Sequence, residues 1–247
     1  ILGVLRVLDL ASLERSVRRD RALGAALALV AGATNAGGFI AVGQYTSHMT
    51  GIVSALAEDL AFARTRLALA ALGSVAAFVC GAMTTALAVN WARRREMQSR
   101  YALPLLIEAV MLLAFGLLGK MLAMYTVLVA PLTVLTLCFL MGLQNAVITK
   151  VSGAVIRTTH VTGLLTDIGI ELGRMAYLNR APLGEPVRGN RERLFVHLTL
   201  LGAFALGGVL GSFGFRAFGY FATLPLAGLL VLLGTKPLLL DLRHAAA

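Results

Sequence analysis

Residues 34–60, TNAGGFIAVGQYTSHMTGIVSALAEDL, and residues 144–172, QNAVITKVSGAVIRTTHVTGLLTDIGIEL, carry one pattern twice. Each copy opens with Asn-Ala, at Asn35 and Asn145. Each continues to Ser or Thr followed by His-x-Thr-Gly, at Ser47–Gly51 and Thr159–Gly163. An acid stands eleven residues after each histidine, Asp59 and Glu171. The apolar run that follows repeats as well: Gly73, Ala77 and Gly81 have the spacing of Ala203, Gly207 and Gly211. Small residues four apart form a flat helix face for close contact. Several matches in the same order point to two related halves.

These polar motifs sit in a very apolar chain. Of 247 residues, 58% are hydrophobic and only 14% charged, against about 25% charged in a soluble domain. Mean hydropathy is +0.83. About 20 apolar residues cross a bilayer core as a helix, and runs of that kind are read at 22–42, 67–91, 101–119, 124–148, 194–215 and 217–236. A soluble fold would need several helices apolar on every side with nothing polar to cover them. The net charge of +10 would suggest nucleic acid in a soluble protein. Here Lys and Arg fall between apolar runs, where they set topology and meet anionic headgroups. The expected partner is therefore the lipid bilayer and not nucleic acid. Cys80 and Cys138 each stand alone in an apolar run, with no Cys or His at ligand spacing, so both read as small core residues and no metal or cofactor is expected. Residues 1–21 read as a cytoplasmic or interfacial segment without a cleavable signal, and a start at Ile1 rather than Met leaves room for a preceding segment.

Two further segments, about 50–63 and 160–173, are shorter. Roughly 14 helical residues reach about 21 Å, less than the ~30 Å hydrocarbon core. Each follows a stretch rich in Gly, Ser, Thr and His, as a re-entrant half-helix does. Charge supports this. With six spans and both termini inside, 18 of the 22 Lys and Arg are cytoplasmic, all but Arg64, Arg66, Lys120 and Arg216. If both short segments crossed, the Arg93–Arg95 loop would move outside and the division would fall to 15 against 7. The positive-inside rule favours six. The expected fold is an all-α integral membrane protein with six transmembrane helices plus two re-entrant half-helices. It forms two inverted three-span repeats, 22–120 and 121–240, with a tail at 241–247. An odd number of spans per repeat inverts the second copy, a recurring plan of transporters.

The candidate site follows from that plan. Half-helices starting near Thr50 and Thr162 would present unpaired N–H groups and positive dipole ends at the membrane centre. Thr46, Ser47 and Thr50, and Thr158, Thr159 and Thr162, are placed to cap them. His48 and His160 stand beside them as donors or proton carriers. Asn35, next to Gly37 and Gly38, and Asn145, next to Gln144, carry amides that need a partner at membrane depth. The substrate-binding set is thus Asn35, Ser47, His48, Thr50, Asn145, Thr159, His160 and Thr162. Glu108, an isolated acid within a span, is the candidate coupling group. Glu58, Asp59, Asp167 and Glu171 read as interfacial charges near Arg64, Arg66 and Arg174.

AGATNAGGF (31–39), SHMTG (47–51), MGLQNA (141–146) and HVTG (160–163) together resemble the YoaK-like family of bacterial inner-membrane proteins of unknown function. The resemblance spans about 22–236 and implies a multi-pass protein of the bacterial inner membrane. Where that family often has Asp this chain has Asn35, and where it often has Asn this chain has Ile52, which removes a charge and a polar group from the first copy. Inverted repeats with polar motifs at helix breaks point to a small-solute transporter or permease for an anionic or polar metabolite. An aquaporin-like channel, and a structural or partner-binding subunit, are the alternatives. The small-residue stripes would also serve a homo-oligomer. A membrane enzyme fits less well, because HExxH, GxSxG and a Cys ligand pair are all missing, so no enzymatic activity is expected.

Overall fold

The computed structural model describes residues 17–97, 99–122, 124–151, 161–179 and 185–245. The first sixteen residues of the expected interfacial segment lie outside them. The described chain is helical: α1 (Val17–Val42), α2 (Met49–Ala61), α3 (Thr65–Arg94), α4 (Ala102–Leu122), α5 (Thr126–Val151), α6 (Val161–Ala176), α7 (Arg191–Phe218) and α8 (Thr223–Ala245). Five stretches are long and apolar enough to cross a membrane: Arg21–Val42, Thr65–Arg94, Ala102–Leu122, Thr126–Lys150 and Arg191–Thr235. This is a multi-pass helical membrane protein. The fifth stretch covers both segments expected at 194–215 and 217–236. Its 45 residues would reach roughly 68 Å as one helix, more than twice the core thickness. It is divided: α7 stops at Phe218, Gly219 takes a positive φ of 56°, and a 3-10 turn over Gly219–Ala222 leads into α8.

The short segments are helices of 13 and 16 residues, and neither is among the candidate spans. The chain reaches the first of them by stopping α1 at Val42. Gly43 adopts φ 69° and returns its N–H to the Phe39 carbonyl at 2.8 Å. That is the left-handed helix stop for which a residue without Cβ is suited. At the far end of α3 the Arg93–Arg94 pair lies in the last turn and Arg95 stacks over Trp91 at 4.7 Å, cations where the helix dipole is negative.

Two helix pairs make the closest packing, α1 with α7 and α3 with α5, while α2 rests on α3, α6 on α7 and α4 on α8. Backbone meets backbone in both close pairs. A Cβ on Gly32 would strike the Phe204 carbonyl, and one on Gly207 the Leu29 carbonyl. In the other pair a Cβ on Gly142 would strike the Phe78 carbonyl and one on Gly81 the Phe139 carbonyl. Leu29 and Phe139 occupy the same place relative to Asn35 and Asn145. The stripes that could have served a homodimer are occupied within the chain.

The core between α1, α4, α5 and α8 is built from Leu23, Leu27, Leu105, Leu112, Leu140, Met141, Leu143 and Leu230. A second cluster, Phe115, Leu137 and Phe215, meets Tyr220 edge-on at the α7–α8 turn. Large apolar side chains also cover the outside, among them Leu69, Val79, Met83, Leu87 and Val127, as suits a surface solvated by lipid. Cys138 is buried as expected, but Cys80 is exposed on α3. An isolated small residue in an all-apolar helix carries no mark of the side it faces, so composition could not place Cys80.

Gly142→Ala and Gly207→Ala should each destabilise the protein by about 1–3 kcal/mol, the range for overpacking. Gly202→Ala, which meets nothing within 4 Å, should be neutral or slightly stabilising. Thermal unfolding of the three variants in one detergent checks this ordering.

Candidate functional site

A cavity of about 1320 Å³ opens between α1, α5 and α7, with the first turn of α2 and Val161 and Thr162 of α6 at its wall. Asn35, Ser47, His48 and Thr50 of the first copy line it together with Asn145 and Thr162 of the second. Six of the eight predicted binding residues thus share one cavity. The other two, Thr159 and His160, lie outside the described residues, as does Thr158. Phe39, Tyr45, Phe78, Phe204 and Phe213 supply its apolar walls.

The local roles differ from the predicted caps. His48 is the N-cap of α2, and its side chain makes no capping hydrogen bond. Ser47 instead donates to Asn35 Oδ1 at 2.8 Å. This ties the α2 entry to α1 and leaves the Asn35 Nδ2 hydrogens as donors. Thr46 is buried, and its Oγ1 has no partner among the described residues. Backbone turns do the rest: Met49 N–H donates to the Ser47 carbonyl at 3.1 Å and Ile52 N–H to the His48 carbonyl at 3.1 Å. Capping side chains were expected because Ser and Thr favour such positions. The competing demand of the Asn35 amide, in an apolar surrounding, takes the Ser47 hydroxyl. The glycine of His-x-Thr-Gly also has a visible use. A Cβ on Gly51 would lie 3.0 Å from His48 Nδ1, so Gly51 leaves room for the imidazole against the first turn.

On the second copy, Asn145 Nδ2 donates to the Met141 carbonyl at 2.8 Å and Thr149 Oγ1 to the Asn145 carbonyl at 2.7 Å. Thr149 and Ser212 line the cavity too and were not predicted. Ser212 Oγ donates to the Gly208 carbonyl at 2.8 Å. Both hydroxyls give their hydrogen to their own helix and keep an oxygen facing the cavity as acceptor. The available signal was helical phase: Thr149 is one turn beyond Asn145 and Ser212 follows the small-residue stripe.

Glu108 does not reach the cavity. It is wholly buried on α4, where Gln144 Nε2 donates to its Oε1 at 2.6 Å and to the Leu27 carbonyl at 3.3 Å. Gln144 and Asn145 are neighbours on α5, one turned to Glu108 and the other to the cavity. Glu108 Oε2 and Gln144 Oε1 have no partner among the described residues.

The acids toward the ends of the two short helices make ion pairs and hydrogen bonds with neighbouring elements. Arg64, the N-cap of α3, lies 3.5 Å from both Glu58 and Asp59. Glu171 is buried, accepts from the N–H of Asn190, the N-cap of α7, at 2.8 Å, and pairs with Arg174 at 3.0 Å. Each acid therefore holds the cap of the next long helix. Asp167, on the exposed side, is 3.8 Å from Arg193 and 3.8 Å from buried His197. That long-range contact had no sequence signal. The Asn190 N–H and then the charges of Arg174 and Arg193 hold the Glu171 carboxyl below its ordinary pKa, against a smaller opposing effect of burial. A depressed carboxyl pKa adds stability that is present above the unfolded value, about 4.3, and is lost as pH falls through the folded value. Glu171→Gln should therefore lower the melting temperature near pH 7 and flatten its fall below about pH 4. Melting curves from pH 3 to pH 7 read this directly.

A family profile described as "Protein of unknown function (DUF1275)" matches residues 23–235. No curated protein and no solved structure matches the chain.

Proposed function

The chain belongs to that family of unknown function, and we propose that it is a small-solute membrane transporter, not an enzyme, with a central site for an anionic or polar metabolite. The observation that carries the reading is that one cavity is lined by described residues from the Asn-Ala and His-x-Thr-Gly motifs of both copies. Polar side chains are expensive at membrane depth and gather where a solute or ion needs them. Here Asn35, Ser47, His48, Thr50, Asn145 and Thr162 gather from the two copies of the motif, about 110 positions apart. The helix start beside His48 brings a positive dipole end to that wall, suited to acceptor groups of a solute.

The architecture in this reading is six crossings and two re-entrant half-helices in two inverted repeats. Helices of 13 and 16 residues reach only about 20 and 24 Å, short of the ~30 Å core. The break at Gly219 makes α7 and α8 two crossings. Exchange of the repeats maps the α1–α7 packing onto α5–α3 and α2–α3 onto α6–α7, and α4–α8 onto itself. The distribution of Lys and Arg supports cytoplasmic termini, and the membrane in this reading is a bacterial inner membrane.

Glu108 serves in this reading as the coupling group. Both Gln144 amide hydrogens are already donated, so the Oε atoms without donors cannot satisfy each other. One proton on Glu108 Oε2 would supply the bond that Gln144 Oε1 lacks, and its removal would leave a charge without a cation. Gln144 carries that change along α5 to Asn145.

Uptake into proteoliposomes of a radiolabelled panel of small metabolites, run with and without a pH gradient, tests this. For a transported solute, Asn35→Ala and His48→Ala should each reduce uptake by about tenfold or more while melting temperature holds. Glu108→Gln should abolish the response to the gradient. Unchanged uptake in both cavity variants sinks the central site, and equilibration without accumulation would identify a channel.

A further inference from the structure

The cavity also carries information on what kind of solute it takes. Among its described lining residues there is no Asp, Glu, Lys or Arg. An ion placed there would meet no carboxylate, ammonium or guanidinium among the described lining residues, and burying an unpaired charge is strongly unfavourable. The polar groups are amides, hydroxyls and one imidazole, and two features fix their sense. Asn35 Oδ1 is occupied by Ser47, so its Nδ2 group is the donor. Thr149 and Ser212 have given their hydrogens to backbone carbonyls, so their oxygens are acceptors. Donor and acceptors therefore face the same space.

The same cavity also presents a flat surface. Phe39 and Tyr45 are stacked, with ring centroids 4.6 Å apart and planes 23° from parallel. Both are about half exposed, at 44% and 50%, and both line the cavity. A stacked aromatic pair with open area is a platform for a further ring, since offset stacking at such spacing is favourable for any π-face.

Resting on the transporter reading, we propose that the solute is an uncharged, planar heterocycle with a lactam-type edge. Its ring lies on the Phe39–Tyr45 pair, and its adjacent N–H and C=O groups pair with the acceptors Thr149 and Ser212 and the donor Asn35. This selects the polar alternative over the anionic one.

Three small probes separate the elements of the claim. Uracil has the planar ring and the lactam edge. Dihydrouracil keeps the edge but puckers the ring. Orotate keeps ring and edge but adds a carboxylate. By calorimetry on the full chain in lipid nanodiscs, uracil should bind, dihydrouracil about fivefold more weakly, and orotate about tenfold more weakly or less. Phe39→Leu should erase the preference for the planar ring while leaving the discrimination against orotate. Tyr45→Leu provides the same reading if the first variant does not fold. Orotate binding as well as uracil, dihydrouracil binding as well as uracil, or no binding by any of the three overturns the proposal. Failure of the two readings is distinguishable. Uracil binding without flux through proteoliposomes keeps the solute class and removes the transporter. Flux of a charged metabolite without uracil binding does the reverse.

Discussion

Two backbone-to-backbone crossings hold this molecule together. Lipid tails are as apolar as leucine, so helices in a bilayer gain little from burying apolar surface against each other. They associate through close packing, and packing is closest where side chains are missing. Gly32 and Gly207 bring α1 onto α7, and Gly81 and Gly142 bring α3 onto α5. Each crossing joins a helix of one half to a helix of the other, so neither half is a self-sufficient unit. Thr85 adds a directional bond at the second crossing, donating to the Leu143 carbonyl at 2.9 Å from a fully buried position. The cavity depends on the same constraint. Asn35 lies one turn beyond Gly32 on α1 and Asn145 one turn beyond Gly142 on α5, so the crossings set the depth of both amides.

What the sequence made legible was the polar minority. An asparagine, a histidine or a cluster of hydroxyls inside an apolar run is conspicuous, and repetition of the cluster marks it as deliberate. That was enough to bring Asn35, Ser47, His48, Thr50, Asn145 and Thr162 into one set, which the structure places around one cavity. The short helices could be read in the same way, because length against bilayer thickness is a one-dimensional argument. The stripe of small residues was visible too, but not its partner. Gly81 and Gly211 suit a neighbour in the same chain or in another copy equally well, and only three dimensions show that they are filled from within.

Direction was harder to read. Gln144 and Asn145 are adjacent, yet one faces a buried carboxyl and the other a cavity, because successive helical residues diverge by about 100°. Ser47 looked like a cap because hydroxyls favour helix starts, and the nearby Asn35 amide was a stronger claimant. Cys80 and Cys138 have the same local surroundings in sequence and opposite exposures. Asp167 meets His197 across thirty positions of chain, a contact that no local pattern encodes.

The two halves are alike in scaffold and unlike in charge, and that difference bears on mechanism. The close helix pairs, the short helices and the acids that hold the next cap recur in both. Glu108 does not: the corresponding long helix, α8, has no acid within its apolar run. His197 and its acidic neighbour likewise belong to one half. For the proposed transporter, perfect symmetry would give two equivalent ways to respond to a proton and no reason to prefer one. Glu108 on α4 shares Gln144 with the backbone of α1 at Leu27, which ties it to both helices that carry the cavity amides. In the proposed transporter, a change of charge there would bear on α1 and α5 together, and so on Asn35 and Asn145, from outside the cavity they line.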